Sequence, residues 1–145
     1  MQLKTMQIPK LQKFAALVLF AAAFAGASLA QETVQEYPEA LLGSFEGPLV
    51  IGRDNMNLAF TFSLRDEELR AALTSGSMGI YGMPATSVEL RGNNVTIKIP
   101  RLDVEFNGTL RFDESGDSIT RIDGDWFQYA ELVPVVLLPV DEPTF

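Results

Sequence analysis

Apolar and polar residues alternate along most of the chain from Gly43 onward. A period of two puts successive side chains on opposite faces of an extended strand, whereas a helix would spread the same apolar residues around its circumference. The pattern therefore predicts strands with one buried face. The clearest run shares one face through Met56, Leu58, Phe60, Phe62 and Leu64.

Similar runs recur on both sides of this stretch, and a continuous apolar segment ends the series at 132–140. Turn-forming sequences such as 92–94 and 113–117 separate the runs, which predicts hairpins between consecutive strands. The stretch 66–73 contains good helix formers, but we favour a strand from Leu69 because it follows another strand closely. The alternating positions are Phe45, Leu49 and Ile51; Leu69, Ala71 and Leu73; Val88 and Leu90; Val95, Ile97 and Ile99; Val104, Phe106, Gly108, Leu110 and Phe112; and Ile122, Gly124 and Trp126.

These runs predict an all-β fold of about eight antiparallel strands. We expect these strands to form a small up-and-down, lipocalin-like barrel, because closing the sheet leaves no strand edge exposed. A β-sandwich is the alternative. We expect the barrel to span 43–140, after a flexible lead at 31–42 and before a tail at 141–145. The lead has a second interpretation, as a segment that caps the barrel mouth.

Two features inside the predicted barrel need separate interpretation. Proline cannot donate a hydrogen bond within a sheet, so Pro100 and Pro134 are expected at strand ends or at an edge. The stretch 75–86 is rich in Gly and Met and is long for a hairpin connection. We predict an irregular loop there, at the rim of the barrel or folded over its mouth.

The N-terminus has the pattern of a secretory signal peptide. Lys4, Lys10 and Lys13 precede an unbroken apolar stretch at 14–25, and small residues follow at 28–30. This order predicts a signal peptide at 1–30, cleaved before Gln31. The alternative is a membrane anchor, but a spanning helix needs about 20 strongly apolar residues. We therefore expect a periplasmic or secreted protein with no membrane insertion after cleavage.

Composition removes several classes of function. The 145 residues include no histidine and no cysteine, so imidazole catalysis, histidine metal sites and disulfides are excluded. The net charge is −8, and loss of the three leader lysines makes it −11. Phosphate backbones repel such a domain, so nucleic acid is not an expected partner. We also expect no cofactor and no metal ion.

Four short motifs give the chain a family resemblance over about 42–140. It resembles the small secreted β-barrel accessory module that is found N-terminal to the catalytic domain of bacterial α/β-hydrolases and related serine hydrolases. The resemblance implies a non-catalytic barrel. No hydrolase sequence follows here, so we expect the module to act alone or by binding a separate partner. The motifs are Gly43-Ser44-Phe45-Glu46-Gly47, the Ser/Gly-rich stretch 74–80, Val104-Glu105-Phe106-Asn107-Gly108 and Gly124-Asp125-Trp126-Phe127-Gln128.

The sequence offers few residues suited to catalysis. Ser77 lies in a Gly-rich stretch but lacks a histidine base. The carboxylate pairs Asp103/Glu105 and Asp123/Asp125 are suited in principle to acid–base hydrolysis, yet the period-two pattern places them on the solvent side. The acidic stretch 113–117 lacks the twelve-residue spacing of a calcium loop and favours a hairpin turn. We therefore predict no enzymatic activity, and a carboxylate hydrolase is the weakest hypothesis.

Two sets of residues are candidates for binding. Inward aromatic side chains either fill the interior of a small barrel or line a cavity for a small apolar ligand. Exposed Met and aromatic residues on the predicted rim loop suit adaptable contacts. The aromatic set is Phe45, Phe60, Phe62, Phe106, Phe112 and Trp126, and the rim set is Met78, Ile80, Tyr81 and Met83.

The sequence thus predicts an exported, non-catalytic β-barrel that acts as an interaction or accessory module in the cell envelope. Its expected partner is another envelope protein. The alternative is a lipocalin-like carrier of a small hydrophobic ligand held inside the barrel.

Overall fold

The structure, a computed structural model, describes residues 35–145. The predicted signal peptide and its cleavage point lie outside the described residues. Within this part of the chain there are nine strands and a few single-turn 3-10 helices, and no helix is long and apolar enough to cross a membrane. The strands are β1 (Gly43–Ile51), β2 (Asp54–Arg65), β3 (Glu68–Ser75), β4 (Ile80–Pro84), β5 (Ser87–Arg91), β6 (Asn94–Ile99), β7 (Val104–Phe112), β8 (Ile119–Gln128) and β9 (Glu131–Val140).

All nine strands belong to one antiparallel sheet, in the order β4-β3-β2-β1-β9-β8-β7-β6-β5. Strands adjacent in the chain pair with each other, except for β4 and β5, and β1 also pairs with β9. This confirms the prediction of an all-β, barrel-like fold, in the form of a curled half-barrel sheet. The count is nine rather than about eight, because part of the predicted rim loop forms β4 against β3.

The sheet opens between β4 and β5, which follow each other in the chain but do not pair. Two residues between them bridge the opening. The Ala85 N–H donates to the Ala71 carbonyl oxygen on β3 at 2.8 Å, and the Thr86 N–H donates to the Lys98 carbonyl oxygen on β6 at 2.9 Å. The backbone here thus contacts both sides of the opening, although β4 and β5 remain unpaired.

Aromatic rings meet across the interior of the curled sheet. The Phe60 ring on β2 lies 5.2 Å from the Phe106 ring on β7 and 6.4 Å from the Trp126 ring on β8, measured between centroids. β2 and β7 are four positions apart in the sheet, so this contact requires the sheet to curl back on itself. All three side chains are buried. Ring contacts at these distances fill the centre of the molecule.

Two glycines make room for Phe106. Gly108 and Gly124 lie opposite each other on β7 and β8, two positions along the ladder from Phe106 and Trp126 and so on the same face. A Cβ atom on Gly124 would lie 2.5 Å from Cε2 of Phe106, and a Cβ on Gly108 would lie 2.6 Å from Cγ2 of Ile122. Both distances are below van der Waals contact. The ring therefore covers a patch of sheet that carries no side chains.

The packed unit extends beyond 43–140 on both sides, over Tyr37–Phe145. In the predicted flexible lead, a 3-10 turn at Glu39–Leu41 places the Leu41 side chain in the core with no exposed surface. In the tail, the Thr144 N–H and hydroxyl donate to the Glu46 carboxylate at 2.6 and 3.1 Å. Both flanking segments thus contact the barrel.

Of the two prolines predicted at strand ends, Pro100 follows β6 directly, as expected, and Pro134 does not follow the prediction. Pro134 lies inside β9 and pairs with Asp125 of β8. The β1–β9 ladder pairs only 44–46 with 138–140. Pro134 is accommodated because it lies beyond the end of that ladder, where an N–H donor toward β1 is not needed.

Candidate functional site

The six aromatic residues predicted to line the interior come together as packing. Phe45, Phe60, Phe62, Phe106 and Trp126 are buried, and Phe112 is half-buried against the same core. The Phe45 and Phe62 rings meet edge to face at 6.0 Å, beside the contacts of Phe60 described above. Because these rings are in contact, the aromatic residues form a packed core and do not line a ligand cavity.

A large groove lies on the outer surface instead. It encloses about 560 Å³. Its walls are formed by residues of β2 and β3, most of them outward, by the turn between these strands, and by Pro84 and Ala85 at the end of β4. Arg70, on one wall, is already bound to Glu68 at 2.7 Å. The polar, open character of this groove does not suit an apolar ligand.

The predicted rim set is less exposed than its sequence indicates. Ile80 is buried, and Met78 and Met83 are half-buried against the core. Tyr81 is 65% exposed, and its ring lies 5.7 Å from that of Phe145. The stretch 75–86, predicted to be an irregular loop, contains a 3-10 turn and β4. The rim therefore offers one largely exposed aromatic residue, which is already in contact with the tail.

The first two acids considered for catalysis lie at the surface and already have partners. The Asp103 carboxylate accepts a hydrogen bond from the Tyr129 N–H at 3.1 Å. Glu105 lies 3.9 Å from the Lys98 ammonium. Neither residue is buried. These contacts tie neighbouring segments of the barrel together.

The second pair is similar. Asp123 accepts hydrogen bonds from Arg111 at 3.0 Å and Arg121 at 2.8 Å, and these bonds hold its pKa below the usual value. Its neighbour Asp125 faces solvent. A general acid needs the opposite shift, toward a raised pKa.

The acidic turn before β8 is a hairpin connection, as predicted. Asp113 accepts hydrogen bonds from the Ser115 hydroxyl at 2.8 Å and from the Asp117 N–H at 3.2 Å. The Ser115 bond is the main cause of a lowered pKa for Asp113. Among residues 35–145, no three acids converge on a point that could hold a metal ion.

The feature that stands out is β9, which is apolar on both faces. Its inward residues Val135 and Leu137 are buried, as an antiparallel sheet requires. Its outward residues would ordinarily be polar, yet Leu132, Val136 and Leu138 are 64%, 46% and 52% exposed. We call the following outward side chains the β9 face: Phe127, Leu132, Pro134, Val136 and Leu138.

The strand register shows how this face is bordered. Phe127 of β8 lies opposite Leu132, so the apolar surface widens at that end. Further along, Asp125 lies opposite Pro134, and Glu46 of β1 lies opposite Leu138. The β9 face is therefore an apolar stripe with acidic residues on both of its long sides.

A strained hairpin turn lies at one end of the β9 face. Tyr129 and Ala130 join β8 to β9 with φ of 50° and 62°. Turns with two positive φ values favour Asn-Gly, and other residues there cost roughly 1 kcal/mol or more each. Tyr129 is nevertheless 73% exposed, so its side chain does not compensate by packing. The turn therefore presents an exposed aromatic ring at the end of the β9 face.

Hydrogen bonds hold this turn in place. Besides the Tyr129–Asp103 bond, the Gln128 side-chain amide donates to the Leu102 carbonyl oxygen at 2.9 Å. The Trp126 indole N–H donates to the Gln128 amide oxygen at 3.3 Å. The turn is thus linked to the buried core through Gln128 and Trp126.

We expect Tyr129→Asn combined with Ala130→Gly to raise the free energy of unfolding by about 1–2 kcal/mol. The reason is that the introduced asparagine and glycine both tolerate a positive φ. Urea unfolding of the purified protein measures this change. The matched control is the β2–β3 turn, where Asp66 and Glu67 also have positive φ. Asp66→Asn with Glu67→Gly should stabilise similarly. If only the control is stabilised, the β8–β9 turn is not strained.

Comparison of the chain with protein-family models, curated proteins and solved structures finds no match. The resemblance to hydrolase accessory modules therefore remains a prediction. The β9 face was not among the sequence-predicted sites. The sequence at 132–140 nevertheless indicates it, because this run is apolar without alternation. In an antiparallel sheet, such a strand has apolar side chains on both faces and not only on the face toward the core.

Proposed function

We propose that this protein is an exported, non-catalytic β-barrel module that binds another protein of the cell envelope through its β9 face. The observation that carries the proposal is the apolar character of β9 on both sides. Contiguous exposed apolar surface on a folded domain marks interaction sites. The exposed Tyr129 at the end of the face adds the type of aromatic residue that often dominates binding energy.

The packed interior supports this function over the carrier alternative. A site for a small apolar ligand occupies about 300 Å³ or more. Placing one in this barrel would require Phe60 to separate from Phe106 and Trp126, which it contacts. The carrier therefore lacks a supporting observation.

The arrangement of the acids supports a non-catalytic role. Asp103, Glu105 and Asp123 bind neighbouring groups at the surface. The sequence has no histidine to act as a base. Arg111 and Arg121 lower the pKa of Asp123, which is the opposite of the shift that a general acid needs.

Native mass spectrometry of the full chain, expressed in its own host and purified gently, tests this function. We expect a mature chain that begins at Gln31 and a complex with a second protein, with no small passenger released on denaturation. In the variant Val136→Thr with Leu138→Thr, the complex should decrease at least about tenfold. Threonine keeps a high strand propensity, so the fold should persist. A small apolar molecule released from the barrel would instead establish the carrier.

A further inference from the structure

We propose that the β9 face binds an amphipathic helix of a basic partner. Apolar side chains of that helix would lie on Leu132, Val136 and Leu138, and its Lys and Arg residues would face the acidic borders. This inference rests on the proposed function, since it specifies the partner of the same surface. Three properties of the face support it: the position of β9 in the sheet, its dimensions and its charge.

The position of β9 excludes one common mode of binding. β9 lies between β1 and β8, so it is not an edge strand. Gly47 of β1 lies directly against the Val136 carbonyl oxygen, where even a Cβ atom would not fit. A partner therefore cannot add a strand to β9 and must pack against its outward side chains. A helix packs on a sheet in this way, because its own backbone groups are already hydrogen-bonded.

The dimensions fit one helix. The stripe from Leu132 to Leu138 spans about 20 Å at the rise of a β-strand, the length of a helix of about 13 residues. Phe127 of β8, an outward apolar residue opposite Leu132, broadens it at one end. Three adjacent strands are about 10 Å wide, which is close to the diameter of a helix with its side chains.

The charge around the face selects a basic partner. Asp125 borders the stripe, Glu131 begins β9, and Asp141 and Glu142 follow it. The ion pairs found within residues 35–145 include none of these four acids. Asp123 lies opposite Val136, and Arg111 on β7 and Arg121 on β8 both bind it.

The total charge of the described residues also favours a basic partner. Residues 35–145 contain eight basic and eighteen acidic residues, a net charge of −10. A second copy of the chain carries the same charge and would be repelled, as would a surface of anionic lipid. A helix with Lys and Arg beside its apolar stripe is attracted by the same field.

Fluorescence anisotropy of the purified protein with two labelled model helices tests the inference. One 14-residue probe carries Leu on one face and Lys elsewhere, and the other has Glu in place of Lys. We expect the Leu/Lys helix to bind and the Leu/Glu helix not to bind. Val136→Thr with Leu138→Thr should weaken binding of the Leu/Lys helix about tenfold.

Charge variants separate local from general attraction. Asp125→Asn with Glu131→Gln should weaken binding of the Leu/Lys helix about three- to fivefold, since border charges contribute modestly. The matched control, Glu114→Gln with Asp117→Asn, removes the same charge in the β7–β8 turn. It should leave binding within about twofold of the original.

Four outcomes would overturn the inference. The first is that the Leu/Lys helix binds the original protein and the threonine variant equally well. The second and third are that both probes bind equally well and that neither probe binds. The fourth is that the protein forms a dimer, which the two threonine substitutions abolish. None of them decides the proposed function by itself. That proposal fails if the complex seen by native mass spectrometry is absent or persists in the threonine variant, or if a small apolar molecule is released from the barrel instead.

Discussion

Gly124→Ala is expected to lower the free energy of unfolding by about 3 kcal/mol, at the upper end of the usual cost of overpacking. The added methyl group would lie 2.5 Å from a ring carbon of Phe106. That ring has no free space to enter, because Phe60 contacts it from β2. Relief requires β8 to shift or the ring to leave its position, and either change disturbs the aromatic core.

Urea and thermal unfolding measure the effect, and we expect a decrease in Tm of about 10 °C. Gly52→Ala is the matched control, since Gly52 has φ of 62° and no atom within 4 Å of the added Cβ. It should cost only about 1 kcal/mol, from the backbone conformation alone. Equal losses in the two variants would show that Phe106 does not press on Gly124.

A double-mutant cycle tests whether contact with Phe106 causes the loss of stability in Gly124→Ala. Phe106→Leu removes the ring and should destabilise the protein by itself. Combined with Gly124→Ala, it leaves room for the new methyl group, so the double variant should be more stable than the sum of the single effects predicts. Additive losses would contradict direct contact between the two positions. The coupling matters for function because the filled interior is the reason to assign binding to the outside.

Most of the fold could be predicted from local pattern. A strand with one buried face needs only alternation, and β2 with Phe60 and Phe62 inside shows this clearly. β4 was missed because Ile80–Pro84 is short and contains Gly82 and Pro84, which are poor strand formers. It forms a strand because β3 offers an unpaired edge at that place. Such pairing depends on tertiary context and not on the sequence of β4.

The position of the candidate site was harder to predict. The sequence indicates that Phe60, Phe106 and Trp126 point inward, but whether they meet depends on how far the sheet curls. The rim residues Met78 and Met83 were expected at the surface and are half-buried, because β4 holds the segment against the core. The apolar run at 132–140 was visible as an ending strand. Only the strand order shows that its outer face lies uncovered among the described residues.

Photo-crosslinking in the protein's own host tests most directly whether the β9 face is the binding surface. A photoreactive amino acid is placed at Val136 in one strain and at Glu89 in another. Glu89 is the matched control because it also points outward from a strand, β5, on a different part of the sheet. Both positions are exposed, so neither replacement should disturb the core.

We expect position 136 to crosslink one protein at least about tenfold more strongly than position 89, because a buried contact in an interface centre dominates binding. The Tyr129→Asn and Ala130→Gly changes should reduce this crosslink, since they remove the exposed ring next to the face. Equal crosslinking from both positions, or a product at position 89 alone, would contradict the assignment of the β9 face as the binding surface.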